Sequence, residues 1–300
     1  MTDRPSLTAA LVASLLVALF LAVGCEEAQK TVQMAANVIE QNPQLIQDQK
    51  QREQVLAGAR AVKNMTTEID AREEIGMGQS LSVRAFAGFG QPCPDENVQR
   101  YVAEVGKLVA LQSERPSLPY SFAVVQNDEP NALALPGGYI FISTGLLKRL
   151  QSENELACIL GHEVCHVAQK HGIEIVSRDR VVASLVDFGA TLEKDIGKYR
   201  QFIDQFYEKL TVEGYDQDYE WKADEAGTLY AYRAGYRPDG LLPFLQASAA
   251  SGAQMERYKT HPDPAVRINK VRSVLDTLSN WTSLPTLGDR YRREVLAKLP

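Results

Sequence analysis

The sequence predicts an α+β fold that is predominantly helical and carries a small antiparallel sheet. Two short strand-like runs, Tyr120–Gln126 and Gly138–Ser143, flank the turn-rich stretch NDEPNALALPGG. A run of helical patterns follows them. Strands gathered in one part of a chain, with helices in the rest, indicate segregated layers rather than alternating βαβ units. In the first run Tyr120, Phe122 and Val124 share one face; the second is apolar almost throughout, as a fully buried strand reads.

The helices are expected in this order. Val55, Ala59, Val62 and Ile69 share a face between Arg52 and Ile75, and Gly76-Met77-Gly78 is expected to end that helix. Val98, Val102, Val105 and Val109 give Asp95–Leu111 an apolar stripe. Ser152 and Glu155 have capping-box spacing ahead of a helix with Leu156, Ile159, Leu160, Val164 and Val167 on its buried face, and Gly172 is its expected stop. Further helices are expected at Gln217–Ala234, Pro238–Ala249 and Asp263–Leu278, the last with Asp263 at its cap and Pro264 at its first position. Residues 173–216 are too many for a bare connection. Within them Val181–Phe188 is expected as a buried helix, and Asp195–Tyr215, mixing charges with aromatics, as a mobile cover.

Composition narrows the function. The chain has 300 residues, 45% hydrophobic and 23% charged, which excludes a mainly disordered or polytopic membrane protein. A net charge of -6 argues against nucleic acid as a partner, since phosphates demand clustered Lys and Arg. Four Cys make no disulfide scaffold. Cys158 and Cys165, seven positions apart on one helix, stand about 10 Å apart along its axis, too far for a disulfide. They are expected as buried thiols.

Residues 1–24 read as an export signal, with an uncharged stretch from Pro5 to Gly24. Ala22-Val23-Gly24-Cys25 resembles a bacterial lipobox, which implies cleavage before Cys25 and its acylation. Several acyl chains anchor stably, because each buried methylene contributes roughly 0.8 kcal/mol. An uncleaved helix or a secreted soluble protein are the other readings of this segment. Glu26 rather than Asp after the Cys resembles sorting to the outer rather than the inner membrane. Residues 25–72, rich in Gln at their start, form a polar or helical N-terminal segment.

The chemistry lies in His162-Glu163-Val164-Cys165-His166. At 100° per residue the two His of an HExxH lie about 40° apart, one turn along the helix, so both rings reach one Zn²⁺ at ~2.0–2.1 Å. Glu163 falls on the flank, where a general base takes a proton from water. His171 lies about 140° round the same helix from His166 and is expected as a capping or surface residue. A catalytic zinc needs a third protein ligand. The candidate is Glu220, in Tyr219-Glu220-Trp221-Lys222-Ala223-Asp224. Glu220 and Asp224 share a helix face, so one carboxylate can bind metal while the other orients a ligand imidazole. Small Ala223 and Ala226-Gly227 would let that helix approach the first.

HEVCH, the downstream EWKAD, the preceding NALALPGGYIFISTGLL and the later HPDPAVRI occur in the order seen in the M48 family of zinc metallopeptidases, which the chain resembles from Glu73 to Leu278. The resemblance implies a gluzincin fold with the small sheet beside the HExxH helix, one Zn²⁺ per chain, Glu220 as third ligand and Asp224 orienting a ligand. It implies that Asn131, Ala132, Leu133 and Ala134 form an edge that binds polypeptide substrate as an extended strand. It further suggests His261 or Arg267 as the oxyanion donor; His261 also reads as a fourth zinc ligand in a closed state, or as structural. Residues 73–280 are then the peptidase domain and 281–300 a C-terminal tail. The implied setting is quality control of misfolded or misassembled proteins at the bacterial envelope, facing the periplasm. The rival reading is a chaperone-like or scaffold lipoprotein that binds envelope assembly partners, with Arg290, Arg292 and Arg293 available for contacts.

Overall fold

The computed structural model describes residues 69–178, 196–250 and 263–299, with scattered positions between 34 and 56. Residues 1–24, Cys25, Val55, Ala59, Val62, the segment Val181–Phe188 and His261 lie outside the described residues. The chain divides into two units. One, residues 1–68 and 177–196, includes a 3-10 turn at Pro43–Leu45. The other, residues 69–176 and 197–300, holds the sheet and the candidate site. Among the described residues, no helix is long and apolar enough to cross a membrane.

Helix α1 (Ala71–Gly88) starts at a complete capping box: the Asp70 carboxylate accepts from the Arg72 and Glu73 amides, and Glu73 reaches back to the Asp70 amide. Ile69 and Asp70 are non-helical, so no single helix joins Arg52 to Ile75. Nor does Gly76–Gly78 end the helix, which runs through it. Gly78 has a packing reason instead, because a methyl group there would lie 1.8 Å from the Pro136 carbonyl oxygen. Helix α2 (Glu96–Ala110) is capped by Asp95 and fully or nearly fully buries Val98, Val102, Val105 and Val109. Each such side chain stabilises the fold by ~1.5–3 kcal/mol.

Four strands, β1 (Gln91–Pro92), β2 (Ser121–Gln126), β3 (Ala132–Leu135) and β4 (Tyr139–Ser143), form one sheet in the order β1-β2-β4-β3. β2 and β4 are parallel, while the outer pairs are antiparallel. The sheet is therefore mixed, not antiparallel as expected. β3 lies between β2 and β4 in the chain but pairs with the far side of β4, so the direction reverses twice and β2 and β4 end up aligned. The β3–β4 turn needs left-handed backbone at Gly137 (φ 76°) and Gly138 (φ 98°). Buried Glu74 of α1 accepts from the Gly137 amide at 3.1 Å and from Arg115 at 2.7 Å. Arg115 also donates to the Val167 carbonyl at 3.2 Å. One carboxylate thus ties the edge hairpin to α1 and to the end of the central helix.

After α3 (Thr144–Arg149) comes that central helix, α4 (Glu153–Ala168), in which every residue but Glu163 is buried. The capping box expected at its start does not form. Glu155 accepts from the Gln151 amide (3.0 Å) and the Ser152 hydroxyl (2.9 Å), and Ser152 makes no cap bond to the backbone. Nor does α4 reach Gly172. Lys170 takes left-handed backbone (φ 57°), its amide donating to the Val167 carbonyl, and α5 (His171–Arg178) begins in a new direction.

The expected cover contains α6 (Ile196–Glu208), which buries Phe202, Ile203, Phe206 and Tyr207 and meets α1 through Arg84, bonded to Asp204 and lying over Tyr207. Helix α7 (Gln217–Arg233) crosses α4 where two glycines meet. A methyl group on Gly161 would lie 2.9 Å from the Gly227 Cα, and one on Gly227 would lie 2.7 Å from the His162 nitrogen. After the 3-10 turn Pro238–Gly240 come α8 (Leu241–Ala250) and α9 (Pro264–Leu275), the latter capped by Asp263 as expected. Residues 281–299 pack into the same core rather than trailing from it: Tyr291, in α10 (Gly288–Tyr291), and Val295 are fully buried. Arg290 bonds Glu153 at the start of α4, beside the Tyr236 hydroxyl at 2.7 Å. Cys93, Cys158 and Cys165 are buried free thiols, and burial pushes Cys158 up to about 12.

Gly227→Ala forces α7 off α4, because its new methyl meets backbone rather than a yielding side chain. Urea titration is expected to show a loss of ~1–3 kcal/mol, the range for overpacking. Unchanged stability would contradict the contact.

Candidate metal centre and cleft

Four elements converge on one point. Helix α4 brings His162, Glu163 and His166; α7 brings Glu220 and Asp224; α9 brings Arg267; α5 brings His171. The Nε2 atoms of His162 and His166 stand 3.1 Å apart, and the Glu220 oxygens lie 3.6 Å and 3.5 Å from them. All three side chains are buried, and their ligand atoms lie within 4.8 Å of one another. Tetrahedral zinc with bonds of 2.0–2.1 Å sets its ligand atoms about 3.3–3.4 Å apart. The two imidazoles and the carboxylate fit that spacing and donor set.

Each imidazole is held from behind. His162 Nδ1 lies 3.0 Å from Asp224 Oδ1, and Asp224 is gripped by Arg267 through Nε (2.7 Å) and Nη2 (2.6 Å). Burial alone would raise the Asp224 pKa, but Arg267 and His162 outweigh it and hold the carboxyl below its ordinary value. An ionised Asp224 can only accept, so His162 carries its proton on Nδ1 and leaves Nε2 bare. Burial opposes charging His162; Asp224 and Glu220 overcome it and raise that imidazole.

His166 is held differently. Its Nδ1 lies 3.0 Å from His171 Nδ1, so His171 is neither a cap nor a surface residue but sits 1% exposed against His166. The expectation failed because it extended α4 through Lys170, where the chain turns. Burial above all pushes His171 down to about 3. Tyr215 stacks on His166 at 3.8 Å, and Tyr219 on His171 at 4.2 Å. The Tyr215 hydroxyl donates to the Ala134 carbonyl at 3.2 Å. Sequence reasoning missed both tyrosines, although their one-turn spacing just ahead of Glu220 was visible.

An open cleft reaches this centre. Its lining includes Asn131, Ala132, His162, Glu163, Phe244 and Arg267, and among the described residues none of it comes from α6. Of the four expected edge residues, Asn131 is exposed and Ala132 half-buried, whereas Leu133 and Ala134 are buried. The Asn131 carbonyl accepts from the Ser143 amide, so by antiparallel alternation the backbone groups of Leu133 face β4 and those of Ala132 and Ala134 face away. Tyr215 already occupies the Ala134 carbonyl. The backbone edge open to the cleft is therefore that of Ala132, since the Asn131 amide is also taken, by the Ser143 hydroxyl at 2.9 Å. Arg267 lines the cleft, but its guanidinium is engaged by Asp224, with Nη1 3.8 Å from Glu220.

Two buried imidazoles, a carboxylate from a second helix and a glutamate flanking a cleft make up the residue set of an HExxH metal centre. The sequence model of Peptidase family M48 matches residues 96–275, more than half of the chain, and the chain belongs to that family of metallopeptidases. It is 28% identical over 179 residues to the mitochondrial metalloendopeptidase OMA1 of Schizosaccharomyces pombe, which covers 58% of this chain and 52% of that protein. It is similar to the beta-barrel assembly-enhancing protease of Yersinia pestis (26% identity; 67% of this chain, 43% of that one). The Escherichia coli protein of the same name is 25% identical over the same shares of each chain. The chain thus spans about half the length of these relatives.

Asp224→Asn replaces one accepting oxygen with a donor that must face Arg267 or His162. Metal affinity is expected to fall 10–100-fold, the usual effect of losing a partner behind a ligand, as read by chelator competition. Unaltered affinity would remove Asp224 from the centre.

Proposed function

We propose that this chain is a zinc-dependent endopeptidase anchored by lipid on Cys25, facing the periplasm at the bacterial envelope, most readily at the outer membrane. Its substrates in this reading are misfolded or misassembled envelope proteins. The observation that carries the peptidase assignment is the convergence of His162, His166 and Glu220 beside a partly exposed Glu163 at the floor of an open cleft. The envelope setting is supported by the lipobox-like Ala22–Cys25 and by the likeness to beta-barrel assembly-enhancing proteases.

His162, His166 and Glu220 would hold the ion, which supplies Lewis-acid polarisation of a carbonyl and acidification of water. Glu163 takes the proton of the attacking water and delivers it to the leaving amine. The outward backbone groups of Ala132, beside the exposed Asn131, hold the substrate backbone as an added strand. Arg267 keeps Asp224 ionised behind His162. In this reading His261 or Arg267 meets the oxyanion; for His261, fourth-ligand and structural roles are the other outcomes. The scaffold reading would draw on Arg292 and Arg293, whose side chains are exposed, whereas Arg290 is bonded to buried Glu153.

The test is an assay on unfolded protein with and without chelator. Wild type is expected to cleave and to stop on chelation. Glu163→Gln is expected to keep stoichiometric zinc and lose at least 100-fold in rate, about the lower bound for a general base. His162→Ala, His166→Ala and Glu220→Ala are expected to lose zinc. Cleavage by Glu163→Gln at the wild-type rate would overturn the assignment. For the anchor, the mature protein is expected to begin at an acylated Cys25 by intact mass. A Cys25→Ser protein that keeps the same mass shift would refute it.

A further inference from the structure

The geometry points to His171 as the positioning residue of His166, acting through an imidazole–imidazole hydrogen bond that decides which nitrogen of His166 carries its proton. The inference rests on the proposed ligand set. A metal-binding nitrogen must offer a lone pair, and a neutral imidazole has one N–H. His166 turns Nε2 toward His162 Nε2 (3.1 Å) and Glu220 (3.5 Å), so its proton belongs on Nδ1. That atom is 3.0 Å from His171 Nδ1. His166 therefore donates, His171 accepts, and the proton of His171 sits on Nε2.

Three further features hold His171 in place. Left-handed Lys170 (φ 57°) breaks α4, and without the break a residue five positions on would point about 140° away from His166. Tyr219, next to the ligand Glu220, stacks on the His171 ring at 4.2 Å with an interplanar angle of 17°. The Tyr219 hydroxyl is in turn bonded to the Glu174 carboxylate on α5. The two ligands thus lean on unlike partners: His162 on a carboxylate neutralised by Arg267, His166 on an uncharged ring. A carboxylate in place of His171 would add a buried charge that the apolar faces of Tyr215 and Tyr219 do not compensate.

The test uses the full-length protein titrated with Co²⁺ and with Zn²⁺ against a chromophoric chelator. His171→Asn places an amide oxygen near the former Nδ1 and can still accept; His171→Leu cannot. The expected result is wild-type absorption bands and near-wild-type affinity for His171→Asn, with a 10–100-fold loss for His171→Leu. Equal affinity in wild type and a folded His171→Leu would overturn the role of His171 while leaving the ligand set intact. Failure of wild type to bind either metal, with His166→Ala no different, would instead overturn the ligand set. Should His171→Leu not fold, long-range ¹⁵N spectra of zinc-loaded wild type decide directly. A His171 ring protonated at Nε2 supports the role; one protonated at Nδ1 excludes it.

Discussion

The backbone contact of α4 with α7 at Gly161 and Gly227 decides where everything else in the centre falls. Any side chain at either position would meet backbone at less than 3 Å. Glu220 lies seven residues before Gly227, two turns along the same face, and Asp224 one turn before it. Closing the helices at the glycines therefore brings both carboxylates onto the two imidazoles of α4. Cys165 extends the seam, its thiol donating to the Lys222 carbonyl at 3.7 Å.

A helix buried on every side must satisfy each polar group it carries, because an unpaired buried charge costs several kcal/mol. Helix α4 does so with assigned partners. Glu153 takes Arg290, Tyr101 and Tyr236; His162 takes Asp224; His166 takes His171. Glu163 alone stands partly open, facing the cleft. Tyr215 joins the two halves of the site, with its ring on His166 and its hydroxyl on Ala134, so the imidazole and the edge strand share one aromatic support.

Much of this was legible in the sequence. The valine stripe of α2, the Asp263–Pro264 start of α9 and the HExxH spacing are local signals, and local physics decided them. What failed was decided by partners distant in the chain. Gly78 reads as a stop unless Pro136 is known to lie on it. Ser152 and Glu155 have capping-box spacing, yet Glu155 bonds Gln151 and Ser152 instead. The parallel pairing of β2 with β4 follows from β3, whose four residues were hidden in a turn-rich stretch. His171 was misplaced by a single left-handed residue, since helical rotation carries no information beyond a break.

X-ray absorption of the zinc-loaded protein is the decisive measurement for the set His162, His166 and Glu220, because it reports ligand type and distance at the ion itself. The expected spectrum shows nitrogen and oxygen scatterers at about 2.0–2.1 Å with the outer-shell signature of two imidazoles and no sulfur. A sulfur shell at about 2.3 Å, as a thiolate such as Cys165 would give, or the signature of a single imidazole, would contradict it.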